Sequence, residues 1–247
     1  MTTSVYRDNE GPVLLAGNLA HGPQRLRDSV RILKADRQRL TTNLYRLRKY
    51  HACRERYDYL VSRLGDDYGD RKPINLLTIL EHNGVDDTLW ALQATHQNSD
   101  RVARLMTAAF AEDVLPIFER LRPDDKRPRK TIQVARSYAR GKAKPQELLT
   151  AMAAAGAAAT DAAATDATAT DAEGAWAARA AAEAAKVAAM AAAGAARYAT
   201  AVRAAAAARA AAWAARYAGA AAHVRAAAEK RQATIIRRYL LTDEGAA

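Results

Sequence analysis

The sequence predicts an all-α protein, and three observations carry that prediction. From Thr150 to Ala228 about three residues in five are alanine, and no proline interrupts the run. Alanine has the highest helix propensity of any residue. Ahead of the run, apolar residues recur at the alternating steps of four and three that mark one face of a helix. Between these two regions lie short apolar stretches separated by Pro and Gly, the pattern of short helices joined by turns. The chain of 247 residues divides on this reading into a loop-like tail (1–22), a basic coiled-coil-like helix ending in an acidic turn (23–72), and an all-α domain (73–247) that turns alanine-rich from about residue 145.

The tail holds Gly11-Pro12, Gly17-Asn18 and Gly22-Pro23 and shows no sustained period. Leu26, Val30, Leu33, Arg37, Leu40, Leu44 and Leu47 then follow coiled-coil spacing, with Arg37 the one charged member. The stripe continues through Tyr50, Cys53, Tyr57, Leu60 and Leu64 with extra steps of three, a register shift that resembles a stammer. A helix from Gln24 to Leu64 would be about 60 Å long. Gly65 is its natural C-terminal cap, followed by the turn Asp66-Asp67-Tyr68-Gly69-Asp70.

Pro73 suits the first turn of the next helix, which Asn83-Gly84 would end. Asp86 is placed to cap a helix carrying Leu89, Trp90 and Leu92. Ser99 or Asp100 would start another, with Val102, Leu105, Met106 and Phe110 inward. Pro116 is expected to kink or end it, and Leu121-Arg122-Pro123 closes the segment. Asp125 or Lys126 opens a short basic helix through Pro128, Ile132, Val134, Ala135 and Tyr138 that stops at Gly141.

Pro145 begins the alanine-rich part. Alanine buries little area, so these helices gain little from a leucine-style core, but small side chains let backbones approach closely. Two or more long, closely packed helices are expected. Thr160-Asp161, Thr165-Asp166 and Thr170-Asp171 recur every five residues, which is not a helical repeat, and such pairs favour turns and caps. A loop is therefore expected near Ala158–Ala169, with a helix starting at Thr170, where Thr170-Asp171-Ala172-Glu173 fits a capping box. Gly194 and Gly219 mark further breaks or close helix contacts. Ile235, Ile236, Tyr239 and Leu240 alternate with Arg237-Arg238 in an amphipathic end.

The net charge of +11 is unevenly spread: +7 over residues 1–64, −5 over 65–100, +6 over 101–149 and +3 over 150–247. A basic balance permits binding to nucleic acid or to an acidic protein surface, and a GC-rich genome produces the same arginine and alanine bias. Cys53 is the only cysteine, which excludes an intrachain disulfide and a cysteine-based zinc site. The start, Met1 to Glu10, lacks the pattern of a signal peptide. Arg and Lys recur through the alanine run, which makes it a poor membrane span. A cytosolic, soluble protein is expected.

Candidate sites are few. His51 and Cys53, two apart on a helix, would diverge. His82, Asp86, Asp87 and His96 include metal-ligating types, but acids in a helix's first turn complement its dipole, and capping is favoured over metal binding. No phosphate-binding loop, dinucleotide turn or zinc-protease motif is present. The densest basic cluster is Lys126-Arg127-Pro128-Arg129-Lys130, which could meet phosphate through charge and a helix N-terminus. A solvated helix start, with Asp124 and Asp125 just ahead, is the plainer reading. Arg25, Arg27, Arg31, Lys34, Arg37, Arg39, Arg46, Arg48 and Lys49 are spread around the expected long helix. Trp176, Trp213, Tyr198 and Tyr217 punctuate the alanine run and suit gaps between helices better than base stacking.

Leu89-Trp90-Ala91-Leu92 after an Asp-Asp pair, then Pro123 to Lys130 leading into Ala135-Arg136-Ser137-Tyr138-Ala139-Arg140-Gly141, then alanine-rich helices, resembles the bacterial and phage proteins called putative immunity proteins, also described as Imm5-like. Glu229-Lys230-Arg231-Gln232-Ala233 to Leu240 is similar to the ends of such proteins, so the likeness covers about residues 74–240. The resemblance implies an all-α protein that binds and neutralises a cognate toxin, and it supplies no catalytic residues.

The expected function is accordingly a non-enzymatic protein-interaction factor, an immunity or phage accessory protein, with no cofactor and no metal. Its contacts are sought at Trp90, Lys126, Arg127, Arg129, Lys130 and Tyr138. The alternative is a basic nucleic-acid-binding protein of phage or bacterium. No membrane partner is expected. The 26–64 stripe is expected to pair, with a homodimer favoured over docking on its own chain, because a bare apolar seam is rarely tolerated.

Overall fold

A computed structural model describes residues 40–65, 67–166 and 222–242, with the short stretches 179–180, 182–183, 202–203 and 205–206. Two tiny strands begin it. β1 (Thr41–Thr42) pairs antiparallel with β2 (Ile74–Asn75), Thr41 opposite Asn75 and Thr42 opposite Ile74. Each strand hands the chain to a helix through an asparagine cap. Asn43 Oδ1 accepts from Arg46 N at 2.8 Å to start α1 (Leu44–Lys49). Asn75 Oδ1 accepts from Leu77 N at 2.9 Å to start α3 (Leu76–Ala91). Such caps satisfy backbone N–H groups that a helix start leaves open. Between them lies α2 (Arg54–Leu64), ended by Gly65.

These elements correct the expected single helix from Gln24 to Leu64. Residues 24–39 lie outside the described residues. From Leu40 onward the stripe is an extended segment and two helices. Two consecutive β-branched threonines favour the strand. His51, at φ 62, then turns the chain between α1 and α2. The apolar residues are still used, but by the chain's own core: Leu40, Leu44, Leu47 and Leu60 are all buried. These four leucines therefore pack within their own chain, and Leu26, Val30, Leu33 and Arg37 lie outside the described residues.

α3 breaks at Gly84, whose φ of 85 and ψ of −167 are not helical. The break expected at Asn83-Gly84 is thus present, although the two halves run on as one element. A 3₁₀ turn (Leu92–Ala94) leads to α4 (Asp100–Leu121), which starts at Ser99 as expected. Pro116 neither ends nor opens α4. It lies on the exposed side, while Val114, Leu115 and Phe118 around it are buried, and that packing outweighs the hydrogen bond a helical proline forfeits.

α5 (Arg127–Ala139) carries Pro128 in its first turn and ends before Gly141, at φ 70. α6 (Pro145–Asp166) is one helix through Ala158–Asp166, where a loop was expected. Two things favour helix there. Ala155, Ala158, Ala159 and Ala162 form a buried face, and the Thr160 hydroxyl donates to Gly156 O at 3.2 Å, so the threonine is satisfied within the helix. The expected helix start at Thr170 and the breaks at Gly194 and Gly219 lie outside the described residues. α7 (Ala222–Leu241) buries Ala228, Gln232, Ile236, Tyr239 and Leu240 and leaves Arg237 and Arg238 exposed, as the amphipathic end predicts.

α4, α5 and α6 pack as successive antiparallel neighbours, and α7 lies on α3 and α4. Thr131 Oγ1 of α5 donates to Ala151 O of α6 at 2.8 Å, a contact that small side chains make accessible. Phe110 and Phe118 on α4 are fully buried, each stabilising the fold by about 1.5–3 kcal/mol. The described fold is mainly helical, as the sequence predicts, with the two-residue strands as the addition.

Candidate functional site

The basic cluster at the start of α5 is largely consumed by the fold. Arg127 Nε donates to both carboxylate oxygens of Asp125, at 3.0 and 3.2 Å, and Nη2 reaches Asp125 Oδ2 at 2.7 Å and Asp161 Oδ2 on α6 at 2.6 Å. These hydrogen bonds raise the Arg127 pKa and hold the Asp125 carboxyl below the ordinary carboxylate range. Arg129 grips Glu119 of α4 with two nitrogens, at 2.6 and 2.5 Å, and lowers that carboxyl's pKa in the same way. Seven residues on, Arg136 makes the matching pair with Glu112, seven residues before Glu119. Antiparallel helices put both pairs in one ladder. Lys126 donates to the Pro123 carbonyl. Lys130 is exposed, and among the described residues it has no ion-pair partner. Among the described residues the cluster's two guanidiniums are thus committed to carboxylates, and only the ammonium groups of Lys126 and Lys130 are without an ion pair.

Tyr138 lies half-buried against the core of the same bundle, about two turns beyond Lys130. Trp90 is elsewhere. It lines a cleft of about 150 Å³ formed by α1, α2, α3 and the α1–α2 turn, with Leu47, Ala52, Tyr57, Leu60 and Ile79 as its apolar surface. Sequence reasoning grouped Trp90 with the α5 cluster only as a contact candidate, and the structure does not bring them together in this cleft.

The polar side of the cleft was not foreseen. Arg56 Nε donates to Asp87 Oδ2 at 2.8 Å, and Asn83 Nδ2 donates to Arg56 O at 2.9 Å and to Asp87 Oδ2 at 2.8 Å. The hydrogen bond to Asp87 raises the Arg56 pKa. Both Asn83 donors are thus used, which fixes the amide's orientation. Its Oδ1 is enclosed and, among the described residues, has no hydrogen-bond partner, and the residue is only 7% exposed. Buried acceptors are normally paired, so an orphan beside a cleft calls for an explanation. The one sequence signal here was Asn83-Gly84, which marks the helix break that puts Asn83 in position.

Cys53 is exposed at the start of α2 and lines the same cleft; His51 sits in the turn before it. Among the described residues, no group of three or more His, Cys, Asp or Glu is placed to hold a metal. His96 Nε2 lies 3.1 Å from Asn43 Nδ2, and Asp87 is engaged by Arg56 and Asn83. Among the described residues no helix is long and apolar enough to cross a membrane. Arg25 to Arg39, Trp176, Tyr198, Trp213 and Tyr217 lie outside the described residues.

The segment from the 3₁₀ turn through α6 is a helical bundle laced by ion pairs among its described residues. Residues 93–188 match the family model described as Imm-5 like putative immunity protein. The resemblance read in the sequence is thereby found, over a shorter span than 74–240: the Pro123–Gly141 motif lies inside it, and Leu89–Leu92 just before it. No curated protein and no solved structure gives a significant match to the chain.

Proposed function

We propose that this chain is a non-catalytic immunity protein that neutralises a cognate toxin by binding it, in the cytosol of a bacterium. The observation that supports this reading most is the match of residues 93–188 to the Imm-5 like family model. Binding requires a rigid surface and no converging titratable groups, and the α4–α5–α6 bundle with its ion-pair ladder is such a surface. The nucleic-acid alternative loses one of its two basic segments, since Arg127 and Arg129 are turned to carboxylates of their own chain, while Arg25 to Arg39 lie outside the described residues. The test is functional. The protein captured on the full-length chain from its host is expressed alone in a sensitive strain, where it should arrest growth, and co-expression of the chain should restore growth. A captured protein that is harmless alone, or toxicity that the chain does not relieve, overturns the proposal.

A further inference from the structure

We propose that the outer edge of α5 and the turn after it, where Lys130, Lys142 and Lys144 stand, form the face that meets the partner protein, and that the partner presents carboxylates there. This inference rests on the reading of the chain as a protein-binding protein and adds the place and charge of the contact. All three lysines lie inside the segment that matches the immunity-protein family.

Helix geometry selects the edge. At about 100° per residue, Pro128, Thr131, Ile132, Ala135 and Ala139 fall on one side of α5, and all are buried. Arg129 and Arg136 lean towards α4 and Arg127 towards α6, each on a carboxylate there. Opposite the buried side, Lys130, Gln133 and Ser137 share the outer edge, three and four residues apart. At its end Lys142 N donates to Ser137 O at 2.7 Å, which folds the turn back onto the edge, and Lys144 leads into α6.

Charge names the occupant. From Lys126 to Gln146 the chain holds eight Lys and Arg and no Asp or Glu. Arg127, Arg129 and Arg136 are committed within the bundle, whereas Lys130, Lys142 and Lys144 are exposed and, among the described residues, have no ion pair. Helix stability does not ask for cations here. The positive pole of a helix favours acids, yet α5 opens on Lys126 with no acid in its first turn, and Lys144 immediately precedes α6. A nucleic acid fits the edge less well than a protein does. One strand of a duplex advances about 3.4 Å per phosphate, so the stretch of about 10 Å from Lys130 to Ser137 would face about three phosphates with only an amide and a hydroxyl to meet them. Tyr138 is half-buried against the core and offers no open ring for a base to stack on. Asp124 and Glu147, both exposed, flank the edge and would repel a continuous polyanion. Separate carboxylates on a protein surface can meet the lysines at the two ends and hydrogen-bond Gln133 and Ser137 between them.

The experiment uses the full-length chain and three labelled probes: a glutamate-rich peptide, its glutamine counterpart and a DNA duplex of mixed sequence. Binding is followed by fluorescence anisotropy at about 20 mM salt, where surface charges are little screened. The glutamate peptide is expected to bind about tenfold more tightly than the glutamine one. Lys130→Glu, Lys142→Glu and Lys144→Glu together should weaken it about tenfold, through the loss of three exposed pairs. Lys49→Glu, Arg63→Glu and Arg237→Glu make the same change in net charge at other exposed positions and should weaken it less than about threefold. Lys130→Gln, Lys142→Gln and Lys144→Gln, which introduce no new charge, should weaken it about threefold and carry the test if the reversed variant melts early. Equal binding of the two peptides, equal losses in the two reversed variants, or a duplex held by these lysines more tightly than the glutamate peptide overturns the proposal. The protein captured from the host separates this inference from the immunity reading. If the variant reversed on α5 relieves toxicity as well as wild type does, the face is wrong and the immunity reading stands. If that variant alone loses the captured protein and the protein proves harmless, the face stands and the immunity reading falls.

Discussion

Truncating Arg127 to alanine separates a structural role for the basic cluster from a binding one. Its guanidinium makes four hydrogen bonds, three to Asp125 and one to Asp161, and these tie the start of α5 to α6. Hydrogen bonds to charged groups contribute about 1.5–3 kcal/mol when buried, and exposed ion pairs about 0–1 kcal/mol. The Arg127 side chain is 35% exposed and that of Asp125 only 14%, so an intermediate loss of about 1–2 kcal/mol is expected. In urea, at a slope of about 2 kcal/mol per M, the midpoint should fall by about 0.5–1 M. Far-UV circular dichroism reads it directly. Arg127→Lys should recover little, because an ammonium cannot grip Asp125 with two nitrogens in the plane of the carboxylate. The loss should also depend on pH. The Asp125 pKa is lowered in the folded chain, so its stabilisation is present above the unfolded value of about 3.9 and disappears as pH falls through the lower folded value. The gap between wild type and Arg127→Ala should therefore narrow below pH of about 4. Lys130→Ala, at a residue with no ion-pair partner among the described residues, should stay within about 0.5 kcal/mol of wild type. If the two variants match in stability and differ only in partner binding, the structural assignment of Arg127 is wrong.

Three further outcomes follow from particular positions. Gly84→Ala should cost about 1–3 kcal/mol in a thermal melt through backbone strain alone, since a Cβ there meets nothing within 4 Å and only φ of +85 opposes it; an unchanged melt would refute this. Pro116→Ala should raise Tm by a few degrees, about 2–4 °C per kcal/mol in a chain of this size, because it restores a helical N–H at an exposed site; a lower Tm would show that the ring itself is needed. Ala155→Leu should destabilise by about 1–3 kcal/mol despite the added hydrophobic area, because Ala155 is fully buried one turn beyond the Ala151 contact with α5; a neutral or stabilising result would mean the alanine face is loosely packed.

The sequence made legible what local chemistry decides. Ser99, Pro128 and Gly141 sit at helix ends where their backbone preferences place them, and Asn83-Gly84 marks a real break. It misled where packing overrules preference. Pro116 stays inside α4 because three buried neighbours hold the helix, and Thr160-Asp161 stay inside α6 because hydroxyl back-bonding and the Arg127 pair absorb their polar groups. The leucine stripe misled in another way. Leu40, Leu44 and Leu47 keep helical spacing, yet Thr41-Thr42 form a strand and Asn43 caps a new helix, so one period spans two conformations. Of the residues offered as contacts, Trp90 alone lies at the cleft; Arg56 beside it carries no motif and Asn83 only a helix-break signal, since only the fold brings α2 against α3.

The ion-pair ladder changes what the net charge of +11 means. Glu112 and Glu119 lie seven apart on α4, and Arg136 and Arg129 lie seven apart on α5, so the charge of one helix is spent fixing the register of the other. Asp113, next to Glu112, takes Arg231 of α7 in the same manner. Arginines that read in the sequence as a field for phosphate are thus partnered within the bundle.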